Sequence, residues 1–120
     1  MSPQILLRNE NTSGITRIHE VLVNAFGQTA EAEIVENLRK RGAILLSMVG
    51  KLENMVVGHI LFTMVVHADP QSMFGAGLGP LAVMPMLQKQ GIDSKLVEAA
   101  ISAIQQIGVD YLGILGEFDH

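Results

Sequence analysis

The sequence has 120 residues, of which 48% are hydrophobic and 17% charged, and it contains no cysteine. This length and apolar content predict one domain with its own core, and they argue against two full domains and against disorder. Twelve acidic residues against eight Lys and Arg give a net charge of −4, and the positive residues form no basic stripe, so we expect no nucleic-acid partner. Because the sequence has no cysteine, disulfides and thiolate metal sites are excluded.

The first half of the chain predicts one strand and two helices. A short apolar run over residues 4–8 is typical of a strand. Apolar residues at helical spacing predict a helix that begins near Ile15 and ends at Gly27, and a second helix that extends from an N-cap at Thr29 to Arg41. The first residues lack the pattern of a signal peptide, so we expect a cytoplasmic protein.

The second half predicts four strands and one long helix. Strand-like runs over residues 43–49 and 55–66 are joined by a polar turn, and Gly58 indicates a bulge or a close backbone approach. We expect a loop over 67–77, a strand over 78–84, a helix over 92–107 and a last strand over 109–115. The order β-α-α-β-β-β-α-β predicts an α+β sandwich whose mixed sheet has a central parallel pair. The longest uncharged stretch, 70–88, contains three prolines and cannot be a membrane helix.

The segment from Leu81 to Leu96 carries the strongest functional signal. An apolar strand, ended by Pro85, continues through a turn with Gly91 directly into a helix. This arrangement gathers backbone N–H groups at the positive end of the helix, where phosphate oxygens bind. An ordinary strand–helix turn explains the same residues, so the pattern alone leaves both interpretations open.

The turn also carries a family resemblance. It consists of Gln88-Lys89-Gln90-Gly91-Ile92-Asp93. This hexad resembles the acyl-CoA-binding motif Gln/Arg-x-x-Gly-x-Gly/Ala of the GCN5-related N-acetyltransferase (GNAT) superfamily, and residues 25–27, 56–60, 78–85 and 115–117 resemble its bacterial and archaeal "predicted acetyltransferase" branch. The resemblance implies a GNAT fold over residues 1–120, acetyl-CoA as co-substrate, no metal, and direct acetyl transfer to an unidentified amine.

The resemblance also implies which residues bind the co-substrate. The backbone of the strand before the turn would pair with the pantetheine arm, and the amides of the turn would hold the pyrophosphate. The implied site residues are Leu81, Ala82, Val83, Gln88, Lys89, Gln90, Gly91, Ile92, Asp93 and Ser94.

Two departures from the family pattern bear on activity. Asp93 stands where the motif has Gly or Ala; its carboxylate favours the helix dipole but repels phosphate, so we expect weakened CoA binding. Relatives continue past the last strand with a helix and two strands, which usually carry the tyrosine that protonates the departing thiolate, so the chain resembles a C-terminally truncated member. Without those elements the last strand would be an uncovered apolar edge, which predicts that a second subunit covers it in a homodimer. The alternative function is therefore a dimeric structural or interaction module without catalysis.

No residue is assigned as a general acid or base. The other side chains considered are Tyr111, His19, His59, His67, Asp69, Glu117, Asp119 and His120. Packing or another structural role explains Tyr111, His19 and His59 better than catalysis, and Glu117, Asp119 and His120 belong to the chain terminus. His67 and Asp69 lie at a strand end and in a loop, where a base could operate, but their spacing makes no convincing pair. The methionines of the strand region are core filling or, alternatively, an apolar acyl pocket or subunit interface.

Overall fold

Five strands form one mixed sheet with helices packed on both faces in the computed structural model, which describes residues 4–67, 73–109 and 111–113. The helices and strands are β1 (Leu6–Asn9), α1 (Ile15–Phe26), α2 (Ala30–Lys40), β2 (Ile44–Leu52), β3 (Met55–His67), β4 (Met73–Val83), α3 (Ile92–Ile107) and β5 (Tyr111–Gly113). Single 3-10 turns precede α1 and follow β4. The predicted element order and α+β class are confirmed.

The strands lie in the order β1-β2-β3-β4-β5. Neighbouring strands are antiparallel from β1 to β4, whereas β4 and β5 are parallel, with Gly75 opposite Tyr111 and Gly77 opposite Gly113. The connection between these two strands contains α3, as a parallel crossover requires. Within the described residues the parallel pair lies at one edge of the sheet. No helix in this part of the chain is long and apolar enough to cross a membrane.

The sheet separates two hydrophobic cores, because successive strand residues point to opposite faces. Ile60 and Phe62 of β3 belong to the core under α3, and Leu61 between them belongs to the core under α1 and α2. The buried helix residues are Ile92, Leu96, Val97, Ala100 and Ile104 on the first face and Ile18, Val21, Leu22, Ala32 and Val35 on the second. Most of these are the apolar positions whose spacing predicts the helices.

Gly58 confirms the expected close approach between β3 and a neighbouring element. A Cβ atom at this position would lie 2.9 Å from Cδ1 of Leu96, a fully buried residue of α3. The pairing of β3 with β2 also shifts by one residue beside Gly58, at Val57. The bulge and the missing side chain together allow α3 to pack directly on the strand backbone.

The start of β4 differs from the sequence prediction. Residues 67–77 are predicted as a loop, but β3 extends to His67 and β4 begins at Met73; residues 68–72 lie outside the described part. Gly77 pairs with Thr63, and a Cβ atom on it would lie 3.2 Å from Thr63 Oγ1 and 3.3 Å from Val65 Cγ2. Gly77 therefore makes room for β-branched neighbours and does not mark a loop.

The turn between β2 and β3 is shorter than predicted. Strand β2 continues to Leu52, so the turn consists of Glu53 and Asn54, whose φ angles are 49° and 72°. Two successive left-handed residues are the signature of a type I′ turn, whose twist matches that of the flanking strands. The last strand is described from Tyr111 to Gly113, and the rest of its predicted C-terminal extent lies outside the described residues.

Candidate functional site

A cleft of about 290 Å³ opens between the C-terminal end of β4 and the first turn of α3. Strand β4 contributes Leu81 and Val83, and Leu87 of the connecting segment completes the apolar part of the lining. The sequence-predicted site residues that line this cleft are Leu81, Val83, Gln88, Lys89 and Asp93. Half of the predicted set therefore surrounds one cavity.

Strand β4 is irregular immediately before the cleft. Leu61 of β3 lies opposite two residues of β4, Gly79 and Pro80, so β4 carries a bulge there. A Cβ atom on Gly79 would lie 2.6 Å from Leu61 Cδ2 and 3.3 Å from the Leu61 carbonyl oxygen, which only glycine avoids. Bulges bend a strand and redirect the residues that follow. The bulge thus sets the direction in which Leu81 and Val83 enter the wall of the cleft.

The loop after β4 enters α3 through two residues with left-handed backbone. Lys89 has a φ angle of 67°, and Gly91, the N-cap of α3, has a φ angle of 83°. Glycine adopts this conformation without steric cost, whereas lysine does not. The Gln88 side chain donates from Nε2 to the carbonyl oxygen of Val83 over 2.9 Å and ties the loop to the end of β4.

Backbone donors collect at the start of α3. Among the described residues, the N–H groups from Lys89 to Asp93 donate to no other residue. Those of Ile92 and Asp93 belong to the first turn of α3, where a helix has no intrahelical acceptors for them. The N–H group of Ser94 donates to Asp93 Oδ1 over 2.9 Å. The Asp93 carboxylate therefore occupies one of the donors that an incoming anion would use.

The remaining predicted site residues lie around the loop but do not line the cleft. Ala82 is buried in the core under α1 and α2, and Ile92 is buried in the core under α3. Gln90, Gly91 and Ser94 are exposed. The two buried side chains are screened from a ligand in the cleft, so only their backbone atoms can contact one.

A buried polar network crosses the α2 side of the sheet, on the face opposite to that of Leu81 and Val83. Nε2 of the fully buried His59 lies 2.8 Å from Oγ of Ser47. Ser47 donates in turn to Glu10 Oε1 over 2.6 Å, and Glu10 forms an ion pair with Arg39 of α2. Sequence reasoning gave His59 a packing role and missed the other three residues, because they come from separate elements with no shared spacing.

His59 is neutral in this network. Burial, together with the positive charge of Arg39, lowers the pKa of His59 from 6.5 to about 4. Because the Ser47 hydroxyl donates to Glu10, the hydrogen-bond pattern assigns the imidazole proton to Nε2. Nδ1 then has no partner among the described residues. The network fixes α2 on the sheet and contributes no group to the cleft.

Of the other candidate residues, His19 lies away from the cleft. His19 bridges α1 and α2, with Nδ1 lying 2.6 Å from Glu36 Oε2. His67 is the last residue of β3, and Tyr111 is the first residue of β5. The residues that lie outside the described part are Asp69, Glu117, Asp119 and His120. Within the described part, no group of three or more His, Asp or Glu side chains is arranged to hold a metal.

Two curated proteins are similar to the chain in sequence, although no protein-family model matches it. The chain is 33% identical over 107 residues to the uncharacterized N-acetyltransferase YjhQ of Escherichia coli K12 and 28% identical over 114 residues to the uncharacterized N-acetyltransferase YhbS of the same organism. These alignments cover 87% and 94% of this chain but 59% and 68% of the relatives. The chain thus spans only part of the relatives' length.

Two solved structures superpose closely on the chain. One is a GNAT family acetyltransferase from Brucella melitensis in complex with acetyl-CoA, with a TM-score of 0.87 and 28% identity, covering 99% of this chain and 80% of that one. The other is the GNAT family N-acetyltransferase YhbS from Escherichia coli in complex with CoA, with a TM-score of 0.89 and 26% identity, covering 97% and 64%. Sequence and fold therefore indicate the same family as the hexad after β4.

Proposed function

We propose that this chain, which belongs to the GNAT superfamily, is one acetyltransferase domain over residues 1–120 that binds acetyl-CoA and transfers an acetyl group directly to an amine. The relatives named N-acetyltransferase and the CoA-bound structures support this activity. The observation that carries the proposal is the position of the family hexad: residues 88–93 form the loop beside the cleft, where the unpaired N–H groups collect.

The residues present fit an acyl-CoA in two ways. The N–H groups from Lys89 to Asp93, at the positive end of α3, suit the oxygens of a pyrophosphate. Leu81 and Val83 give the cleft an apolar wall beside them. When bound, acetyl-CoA supplies the activated acetyl group as a thioester.

The backbone of β4 suits an extended ligand. Its described pairing with β5 covers Gly75 to Gly77, and from Leu78 to Val83 the described residues pair with it on the β3 side alone. A strand edge of this kind offers alternating N–H and C=O groups to an extended amide chain. We infer that Leu81 and Val83 position the pantetheine arm through these groups, as the family resemblance implies.

Gln88 has a positioning role in this proposal. Its hydrogen bond to the Val83 carbonyl oxygen joins the loop that holds the pyrophosphate to the strand that holds the pantetheine arm. One side chain therefore fixes the relative position of the two parts of the site. Asp93 is the residue that fits least well, because its carboxylate competes for the Ser94 donor and repels phosphate.

Thiol release from acetyl-CoA, measured with a chromogenic thiol reagent across a panel of primary amines, tests the activity. The chain contains no cysteine, so every thiol detected comes from CoA. We expect amine-dependent release by the native chain and by a Glu98→Gln control, and slower release by Gln88→Ala. Binding of CoA with no release above spontaneous hydrolysis for any amine would contradict catalysis and favour the non-catalytic interaction module.

We also propose that the protein is a cytoplasmic homodimer. Support comes from the apolar residues around β5, which is an edge strand of the described sheet, and apolar edges are rarely left uncovered. Light scattering at micromolar concentration is expected to give the mass of two chains. The mass of one chain would contradict the dimer and leave the proposed activity untouched.

A further inference from the structure

A second, larger cavity lies between β1, the first turn of α1 and the β2–β3 hairpin. Its volume is about 720 Å³, and none of its described lining residues also lines the cleft beside α3. Among the residues that the structure describes, the charged side chains that line it are Arg8, Arg17 and Lys51, and neither Asp nor Glu is in the lining. The chain as a whole has a net charge of −4, whereas the charged residues described around this cavity are all positive.

The three positive charges differ in their partners. Arg17 donates from Nε to the Val56 carbonyl oxygen over 2.9 Å and from Nη1 to Glu20 Oε1 over 3.2 Å, so its position is fixed and its charge is paired. Within the described ranges, Arg8 and Lys51 have no carboxylate within 4.0 Å. The cavity therefore keeps two uncompensated positive charges.

The rest of the lining is suited to an amphiphilic ligand. Ile18, Val49 and Val56 form an apolar wall that continues from the core under α1 and α2. The positive end of α1 also borders the cavity: its N-cap, Gly14, makes no side-chain cap, and its first turn contains no acidic residue. A cavity with this lining offers both apolar contact and positive charge.

We propose that this cavity binds a small organic dianion, a phosphate monoester with an apolar group. A dianion matches the two uncompensated charges of Arg8 and Lys51, and the fixed guanidinium of Arg17 supplies donors in the planar arrangement that phosphate oxygens accept. The apolar wall takes the carbon portion of the ligand. The inference goes beyond acetyl transfer and does not depend on it.

Phenyl phosphate is the probe that tests the site, with phenol as its neutral analogue. In ¹H–¹⁵N correlation spectra of the whole chain at constant ionic strength, phenyl phosphate is expected to shift the amides of Gly14 and Asn54 saturably. The double variant Arg8→Gln/Lys51→Gln should weaken this binding about tenfold or more, since charged hydrogen bonds are lost. The control Lys40→Gln/Arg41→Gln removes the same charge at the exposed end of α2 and should leave the affinity within about twofold.

Four results would overturn the proposal. If phenyl phosphate leaves these amides unshifted, the cavity does not bind it. If both double variants weaken binding equally, the binding is general charge attraction and not specific to this cavity. If phenol binds as tightly as phenyl phosphate, the phosphate charge does not contribute to the binding. Loss of the Gly14 and Asn54 shifts in saturating CoA would make the cavity part of the CoA site. Failure of CoA to shift residues 89–93 would instead contradict the proposed acetyltransferase alone, so the two failures are distinguishable.

Discussion

Replacing Asp93 by Asn is expected to tighten CoA binding and to weaken folding. Asp93 lies in the first turn of α3, is exposed, and accepts the N–H group of Ser94. Asn has the same shape and retains an oxygen that can accept the same hydrogen bond. The substitution therefore removes the charge from the loop and leaves its geometry in place.

The size of the effect follows from exposure. Because Asp93 is exposed, the dielectric constant of water applies, and two unit charges about 5 Å apart then repel by about 0.8 kcal/mol. A pyrophosphate with two charges doubles this repulsion, and salt at physiological strength removes roughly half of it. About 1 kcal/mol remains, which is roughly a fivefold change in affinity. In the free protein, loss of the favourable carboxylate–dipole interaction costs about 0.3–1 kcal/mol of the free energy of unfolding.

Calorimetric titration of CoA into the native chain and into Asp93→Asn measures the first effect, and denaturant unfolding measures the second. Glu98→Gln is the matched control, because it removes the same charge from an exposed position on the same helix, about 7.5 Å further along the axis. Its CoA affinity should stay close to that of the native chain. The additional variant Asp93→Gly introduces a residue of the family motif and is also expected to bind CoA more tightly.

Two results would refute this reasoning. Unchanged or weaker CoA affinity in Asp93→Asn would mean that the carboxylate does not oppose phosphate. Equal tightening in Glu98→Gln would mean that the net charge of the chain, and not the loop, controls affinity.

Three further predictions concern packing, pH and the loop. Gly58→Ala should lower the free energy of unfolding by about 1–3 kcal/mol, because its Cβ would lie 2.9 Å from Leu96 Cδ1 in a filled core; unchanged denaturant unfolding would contradict this. For His59, the unfolded state binds a proton below about pH 6.5 and the folded state only near pH 4, so stability should fall as the pH is lowered through this window, by up to about 3 kcal/mol. Unfolding measured at pH 7 and pH 4.5 should show a smaller drop in His59→Gln, and an equal drop would be evidence against the role. Gln88→Ala should weaken CoA binding about two- to tenfold in calorimetry, since the hydrogen bond to the Val83 carbonyl is lost; native affinity would exclude the positioning role.

Local patterns predicted most of the fold. The helix from Ile92 to Ile107 agrees with its prediction at both ends, because apolar residues at helical spacing lie between Gly91 and Gly108, which adopt left-handed backbone. The start of β4 could not be predicted in this way. Gly77 resembles a loop residue when only chain neighbours are considered, whereas the requirement for a small residue there comes from Thr63 and Val65 across the strand pair.

In the candidate site, too, local sequence predicts some features, and others depend on the folded geometry. The loop from Gln88 to Asp93 is contiguous in sequence, so its motif was readable and the structure places it beside one cleft. The contact of the Gln88 side chain with Val83 and the bond between Asp93 and Ser94 depend on loop geometry, which the motif does not specify. The cavity lined by Arg8 and Lys51 is made by separate elements and has no signal in local sequence.

Binding of CoA at the N-terminus of α3 is the central claim, and ¹H–¹⁵N correlation spectra recorded with increasing CoA test it most directly. The prediction is saturable shifts of the amides from Lys89 to Asp93, whose N–H groups have no acceptor among the described residues, together with shifts of Leu81 and Val83. Amides of α2, such as that of Lys40, should stay in place. Spectra that show no change at residues 89–93 in millimolar CoA would contradict the claim.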